Sequence, residues 1–138
     1  MKRMITAEGV SPPGAPFSSA IAVDGGTLVH TSGFLARDPK SGAILHPGDA
    51  EQQTLHCFNS IEKVLRAAGG ALQDLVKMTV FLRNASDYEA MNRARRSRLA
   101  GIDYASSTVI AGLVAAEALV EIECVAAISG HAGGAAAP

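Results

Sequence analysis

The chain contains no tryptophan, and its two tyrosines and four phenylalanines make up only 4% of the residues. Charged residues are also few, at 18%, and they nearly cancel to a formal net charge of −1. This balance gives no overall attraction to nucleic acid or to an anionic membrane surface. No apolar run is long enough to span a bilayer, and the N-terminus has no signal-peptide core. We therefore expect a cytoplasmic protein that binds neither nucleic acid nor membrane.

Cysteine and histidine are scarce too. Cys57 and Cys124 each lie in an apolar, periodic segment, which is typical of small buried side chains in a reducing compartment rather than of a disulfide. The four histidines are scattered and lack the spacing to cysteine or carboxylate that a metal site requires: His30, His46, His56 and His131. We expect no metal and no cofactor.

Hydrophobic residues, by contrast, make up 48% of the 138 residues, which is enough for one domain with a real core. Residues 1–128 carry all the periodic segments. Residues 129–138 are rich in glycine and alanine, lack any apolar period, and are predicted to be a flexible tail.

The periodic segments alternate between strand and helix patterns. Strands are predicted at 18–23, 27–33, 76–82, 108–113 and 119–128, and helices at 49–68 and 86–99. Asp24-Gly25-Gly26 is a tight-turn signal between the first two strands. This order indicates an α+β domain, a mainly β sheet with two helices on one face. The other face would stay apolar and uncovered, so we expect subunits to pack their sheet faces together.

Two local patterns refine the helices. Asp49 with Gln52, and Ser86 with Glu89, have the spacing of capping boxes at the two helix starts. Apolar residues at spacings of three and four predict the inward stripe of the first helix: Leu55, Phe58, Ile61, Leu65 and Ala68.

Several segments together resemble the RidA/YjgF family of reactive-intermediate (enamine/imine) deaminases, across roughly residues 16–128. They are Ala15-Pro16-Phe17-Ser18, Thr31-Ser32-Gly33, Gln53-Thr54, Asn59-Ser60-Ile61, the strand at 76–82, Met91-Asn92 and Val120-Glu121-Ile122-Glu123. The resemblance implies a chorismate-mutase-like fold, a homotrimer with clefts between subunits, and hydrolysis of a small-molecule enamine or imine to a carbonyl compound and ammonia.

The resemblance also assigns roles by position. Glu121 matches the acidic residue that positions the attacking water, and Gly33 a backbone contact at the site. Phe17 stands where a tyrosine is usual, and Thr108 where a cysteine often occurs. The candidate catalytic residue is thus Glu121, and the candidate substrate-binding residues are Phe17, Ser32, Gly33, Asn92, Arg95, Ser106, Ser107 and Thr108.

Ser106 is the main departure from the family, because deaminating relatives carry there the arginine that clamps a substrate carboxylate. The arginine fork makes two charge-assisted hydrogen bonds, each worth about 1.5–3 kcal/mol, whereas serine offers one neutral donor. The substrate therefore lacks that carboxylate, or another cation replaces the clamp.

Arg95 is the candidate replacement, because it lies on the helical stripe of Tyr88, Asn92 and Leu99, which should face inward. Relatives usually carry an aromatic residue at this position. The alternative is that Arg95 extends to solvent or pairs with a carboxylate at the subunit boundary.

Three functions remain open after the sequence is read. One is a hydrolase of a labile C–N metabolite with altered anchoring, and the second is a trimeric binding protein without turnover. The third, an endoribonuclease or translation inhibitor, is disfavoured by the net charge and by the four scattered arginines of the second helix. A serine-hydrolase arrangement lacks a histidine at a plausible place.

Overall fold

Alternating apolar residues and short polar turns divide the chain into strands and helices. In the computed structural model, which describes residues 1–10 and 14–130, the strands are β1 (Lys2–Ile5), β2 (Ala20–Val23), β3 (Thr27–His30), β4 (Leu75–Leu82), β5 (Ala105–Ile110) and β6 (Val120–Ile128). The helices are α1 (Ala50–Ala67) and α2 (Tyr88–Leu99), and short 3₁₀ turns at Leu72–Asp74 and Ala85–Asp87 precede β4 and α2. Residues 131–138 of the predicted tail lie outside the described residues.

A four-stranded mixed sheet forms the centre of the fold. Its strand order is β3-β6-β4-β5, with β4 and β5 parallel and the other neighbours antiparallel. On β4, Met78, Val80 and Leu82 are fully buried, while Thr79 and Phe81 are only partly buried, as the period-2 pattern predicts. The α+β prediction, with both helices packed on one sheet face, is confirmed.

Helix α1 begins as predicted, because the side chain of Asp49 accepts a hydrogen bond from the backbone N–H of Gln52 at 3.0 Å. Its buried face includes Phe58, Ile61 and Leu65 from the predicted stripe. The prediction was wrong for two residues of that stripe. Leu55 is only half-buried, and Ala68, which caps the C-terminus of the helix, is exposed.

The turn at Asp24-Gly25-Gly26 forms, with positive φ at both glycines, but the hairpin expected around it does not. β2 pairs with β1, an N-terminal strand that the sequence pattern did not indicate, and β3 pairs with β6. The strand predicted at 27–33 ends at His30, so Ser32 and Gly33 lie in the following loop. The turn signal predicts a local reversal of the chain, whereas strand partners depend on distant residues.

Two further boundaries differ from expectation. Ser86 does not cap α2, since the helix begins at Tyr88 and its N-cap residue, Asp87, makes no side-chain capping bond. β5 starts at Ala105 rather than at residue 108 and ends at Ile110. Ser106 is therefore inside a strand that pairs with β4, and not in a loop ahead of it.

The sheet face away from the helices is not the purely apolar surface that the sequence indicated. Leu28 and Val109 are 56% and 42% exposed on it, but Lys77, Ser107 and Glu123 are exposed there as well. Among the described residues, neither helix has the length and apolarity needed to cross a bilayer. Cys57 and Cys124 are buried free thiols.

Candidate functional site

Arg95 of α2 is the largest side chain that the fold buries completely, with 0% of its surface exposed. One helical turn earlier, Asn92 accepts hydrogen bonds through Oδ1 from two nitrogens of this guanidinium, Nε at 3.0 Å and Nη2. The third nitrogen, Nη1, donates to Ser106 Oγ on β5 at 3.1 Å. The guanidinium carbon also lies 5.5 Å from the centroid of the Phe17 ring, within the range of a cation–π contact.

Within residues 1–10 and 14–130, Arg95 has no carboxylate partner. Its helix neighbours do: Arg93 pairs with Glu51 at 3.2 Å, and Arg98 pairs with Glu62 at 2.9 Å. Within the described part of this chain, Arg95 thus neither extends to solvent nor forms an ion pair, while pairing with a carboxylate of another subunit is not tested by a single chain. A buried positive charge is instead held by an amide oxygen, a hydroxyl and an aromatic face.

Ser106 and Thr108 share the helix-facing side of β5, because they pair with Met78 and Val80 of β4. Beside them is a groove of about 490 Å³, lined by Phe17, Ala85, Tyr88, Thr108 and Ile110. The lining is largely apolar, which suits the body of a small metabolite. Ser107 points to the other side of the sheet, where Lys77 Nζ donates to its hydroxyl at 3.1 Å. The structure therefore separates Ser107 from the residues with which the sequence grouped it.

Glu121 and Gly33 form a second group. The loop after β3 is tied to β6 by reciprocal backbone hydrogen bonds between Phe34 and Ile122, at 2.8 and 3.1 Å. This holds Gly33 directly against Glu121, so closely that a Cβ at Gly33 would overlap Glu121 Oε1. Ser32, beside Gly33, is exposed.

The negative charge of Glu121 acts on the neighbouring Cys57 thiol. Burial raises the pKa of the Cys57 thiol to about 12, and the negative charge of Glu121 contributes in the same direction. Within the described part of the chain, no cation pairs with Glu121. The oxygens of this half-buried carboxylate are therefore available to a ligand or a water molecule.

One chain does not bring these two groups together. We call Phe17, Asn92, Arg95, Ser106 and Thr108 the arginine group, and Ser32, Gly33 and Glu121 the glutamate group. Glu121 on β6 pairs with Phe81 of β4, whereas Ser106 on β5 pairs with Met78 of β4. The two pairing positions on β4 are three residues apart, and β5 and β6 flank β4 on its two edges. Strand spacing then puts the Cα atoms of Glu121 and Ser106 about 14 Å apart. Their side chains also leave opposite faces of the sheet.

Tyr104 is a further candidate site residue, which the sequence did not predict. Its buried hydroxyl has no hydrogen-bond partner within the described residues, and its ring borders a cavity of about 200 Å³ together with Arg95 and Arg96. Burial raises the pKa of this phenol, while the two guanidinium charges act in the opposite direction. Nothing in the local pattern marks Tyr104, because its surroundings come from α2 and from Pro16. No cluster of three or more metal-ligating side chains occurs among residues 1–10 and 14–130.

The sequence model of the endoribonuclease L-PSP family matches residues 9–128. The chain belongs to this family. It is 38% identical over 125 residues to the 3-aminoacrylate deaminase RutC of Acinetobacter baylyi, a match that covers 91% of this chain and 97% of that protein.

Solved structures of family members have the same fold. A Rid-family protein of unknown function from Yersinia pestis, YyfB, superimposes with a TM-score of 0.82 at 27% identity, covering 92% of this chain and 98% of the other. A second Rid-family protein from that organism, YyfA, gives a TM-score of 0.66 at 28% identity, covering 93% and 100%. The resemblance to the RidA/YjgF family is thereby confirmed. The roles that it assigns to individual residues remain predictions.

Proposed function

We propose that this protein hydrolyses a small enamine or imine to a carbonyl compound and ammonia. The proposal rests chiefly on the Glu121 carboxylate held against Gly33, in a chain 38% identical to a 3-aminoacrylate deaminase over nearly its whole length. Family membership supports the reaction class, and the groove beside Phe17 and Thr108 supports a small-molecule substrate.

Glu121 would act as the general base. The enamine first tautomerises to an imine, as its carbon gains a proton from water and its nitrogen loses one, and water then adds to the imine carbon. Glu121 would accept a proton from that water and return it to the nitrogen, so that ammonia leaves as the carbonyl forms. The backbone of Gly33, packed on the same carboxylate, would hold the reacting group in line with it.

The arginine group would bind the substrate. The ring of Phe17 and the methyl groups around the groove would pack on its apolar body, with Ser106 and Thr108 as polar contacts. Arg95 would supply the positive charge that relatives provide from the position of Ser106.

A second copy of the chain would complete the site. Since the glutamate and arginine groups lie on opposite sheet faces about 14 Å apart, one small substrate does not reach both in a single chain. We therefore propose a homotrimer in which the glutamate group of one subunit faces the arginine group of the next. Leu28 and Val109, exposed on the uncovered sheet face, support such packing.

Ammonia release from freshly generated enamines tests the proposed reaction. Glu121→Gln is expected to lower kcat by about 100-fold or more, because the general base is lost. Glu123→Gln is the matched control: Glu123 lies two residues along the same strand and on the same face, but it is exposed. Equal loss of activity in both variants would remove Glu121 from the mechanism.

A binding protein without turnover is the second candidate, and the complete burial of Arg95 favours it. Because this guanidinium has no exposed surface, it does not grip a ligand directly. Tight binding of a small molecule in the groove beside Phe17 and Thr108, with no ammonia released from any enamine, would establish this function.

Cleavage of RNA, the activity in the family's description, is the least supported of the three. Of the four arginines on α2, Arg93 and Arg98 are ion-paired and Arg95 is buried. RNA binding that weakens steeply with salt would support this function, and its absence would exclude it.

A further inference from the structure

The guanidinium of Arg95 is a permanent positive charge on a side chain that the fold buries completely. An arginine that is taken out of water is usually balanced by a carboxylate. Here the acceptors are neutral, namely Asn92 Oδ1 and Ser106 Oγ, and within residues 1–10 and 14–130 no ion pair neutralises Arg95. The cluster therefore keeps a net positive charge, and a bound anion nearby would balance it.

A ligand in the groove beside Phe17 and Thr108 does not touch Arg95 itself, because Arg95 is 0% exposed and does not line that groove. Ser106 is only partly buried, and it is in contact with the guanidinium. Its oxygen accepts the hydrogen bond from Nη1, which leaves its own hydrogen free to donate. Among the described residues, no acceptor takes that hydrogen. A hydroxyl that accepts from a cation is polarised and becomes a stronger donor.

We propose that Ser106 transmits the positive charge of Arg95 to the neighbouring groove, so that the site selects ligands with a carboxylate end. The inference deepens the proposed function, since it concerns the substrate-binding half of the same cleft. Ser106 would make the contact, Arg95 would act as a positioning residue behind it, and Asn92 would fix the orientation of the guanidinium. The carboxylate clamp then survives in a two-residue form.

The expected selectivity follows from distance. The guanidinium nitrogen is 3.1 Å from Ser106 Oγ, and one further hydrogen bond puts a ligand oxygen about 6 Å from the charge. At that distance, in a partly buried and partly screened site, one unit of ligand charge should change affinity by about tenfold or more.

The experiment measures the dissociation constants of crotonate and crotonamide, two planar ligands of nearly equal shape that differ in charge. Wild-type protein should bind the carboxylate about tenfold more tightly than the amide. Ser106→Ala, Arg95→Met and Asn92→Asp should each reduce this ratio to near one. Asn92→Asp keeps the arginine in place but neutralises it. Arg93→Met, which removes an exposed arginine from the same helix, is the matched control and should keep the wild-type ratio.

A purely structural role of Arg95 would weaken both ligands together and leave their ratio unchanged, which would overturn the proposal. A ratio lost in Arg95→Met but kept in Ser106→Ala would also overturn it, because the charge would then act without the hydroxyl. Wild-type binding that is equal for the two ligands, or undetectable at millimolar concentration, counts against it as well. These binding measurements involve no turnover. If the two ligands show the expected ratios of dissociation constants but no enamine releases ammonia, the proposed reaction is refuted, and the transmission of the Arg95 charge by Ser106 is not.

Discussion

Replacing Asn92 by alanine should destabilise the fold far more than an ordinary helix substitution, because it takes away the main acceptor of a buried guanidinium. Asn92 Oδ1 accepts from two nitrogens of Arg95, and both residues are almost completely buried. A hydrogen bond to a charged group contributes about 1.5–3 kcal/mol, and a buried donor left without a partner adds its desolvation cost. We expect the free energy of unfolding to fall by about 2–4 kcal/mol, even though alanine is the better helix former.

The same substitution should be nearly neutral when the charge is absent. In an Arg95→Met background Asn92 has already lost its partner, so Asn92→Ala should cost about 1 kcal/mol or less. The two substitutions should therefore show a coupling free energy of about 2–3 kcal/mol in a double-mutant cycle. With a typical urea dependence for a small domain, Asn92→Ala alone should lower the urea midpoint by about 1–2 M.

Urea unfolding at one fixed protein concentration provides the measurement, since the midpoint would depend on concentration in the proposed homotrimer. Asn92→Asp is the matched control: it has nearly the same shape, accepts the same two hydrogen bonds and neutralises the charge, so stability should be retained. A coupling free energy below about 0.5 kcal/mol would refute the reasoning, because Asn92 and Arg95 would then be independent of each other.

Three other substitutions or conditions probe different parts of the molecule. Gly33→Ala should displace the flexible end of Glu121, lowering kcat for ammonia release with little change in Tm; a large fall in Tm at full activity would contradict this. Burial raises the pKa of Cys57 to about 12, so its stabilising contribution is complete below pH 9.0, its ordinary value, and is lost between there and about 12. The free energy of unfolding should fall by about 1 kcal/mol per pH unit above pH 9.0, and an unchanged slope in Cys57→Ala would assign it to other groups. Val109→Glu should place a charge on the exposed sheet face and dissociate the proposed homotrimer, as measured by sedimentation; unchanged mass would show that subunits do not pack there.

The faces of the central strands were predictable because a strand buries every second residue. Met78 and Val80 on β4, and Ile122 on β6, are buried where the alternation of apolar and polar residues indicated. The start of helix α1 was predictable for a similar reason, since the Asp49 cap is a local interaction with the nearby Gln52. Strand partners were not predictable in this way. β2 and β3 are joined by a clear turn, yet their ladders form with β1 and β6.

The sequence by itself determined the α+β class, the single buried face of the sheet and the presence of Glu121 on the opposite face, because these depend on periodicity and on residue type. Only the tertiary structure decided what Arg95 does. Residues 95 and 106 are on different elements, and their contact exists because β5 pairs in parallel with β4 under α2. That packing buries an arginine without a carboxylate partner among the described residues and brings its guanidinium into hydrogen-bonding contact with Ser106. The free energy of the Arg95–Ser106 contact depends on burial by residues that are distant in the sequence, and a local sequence pattern does not encode that burial.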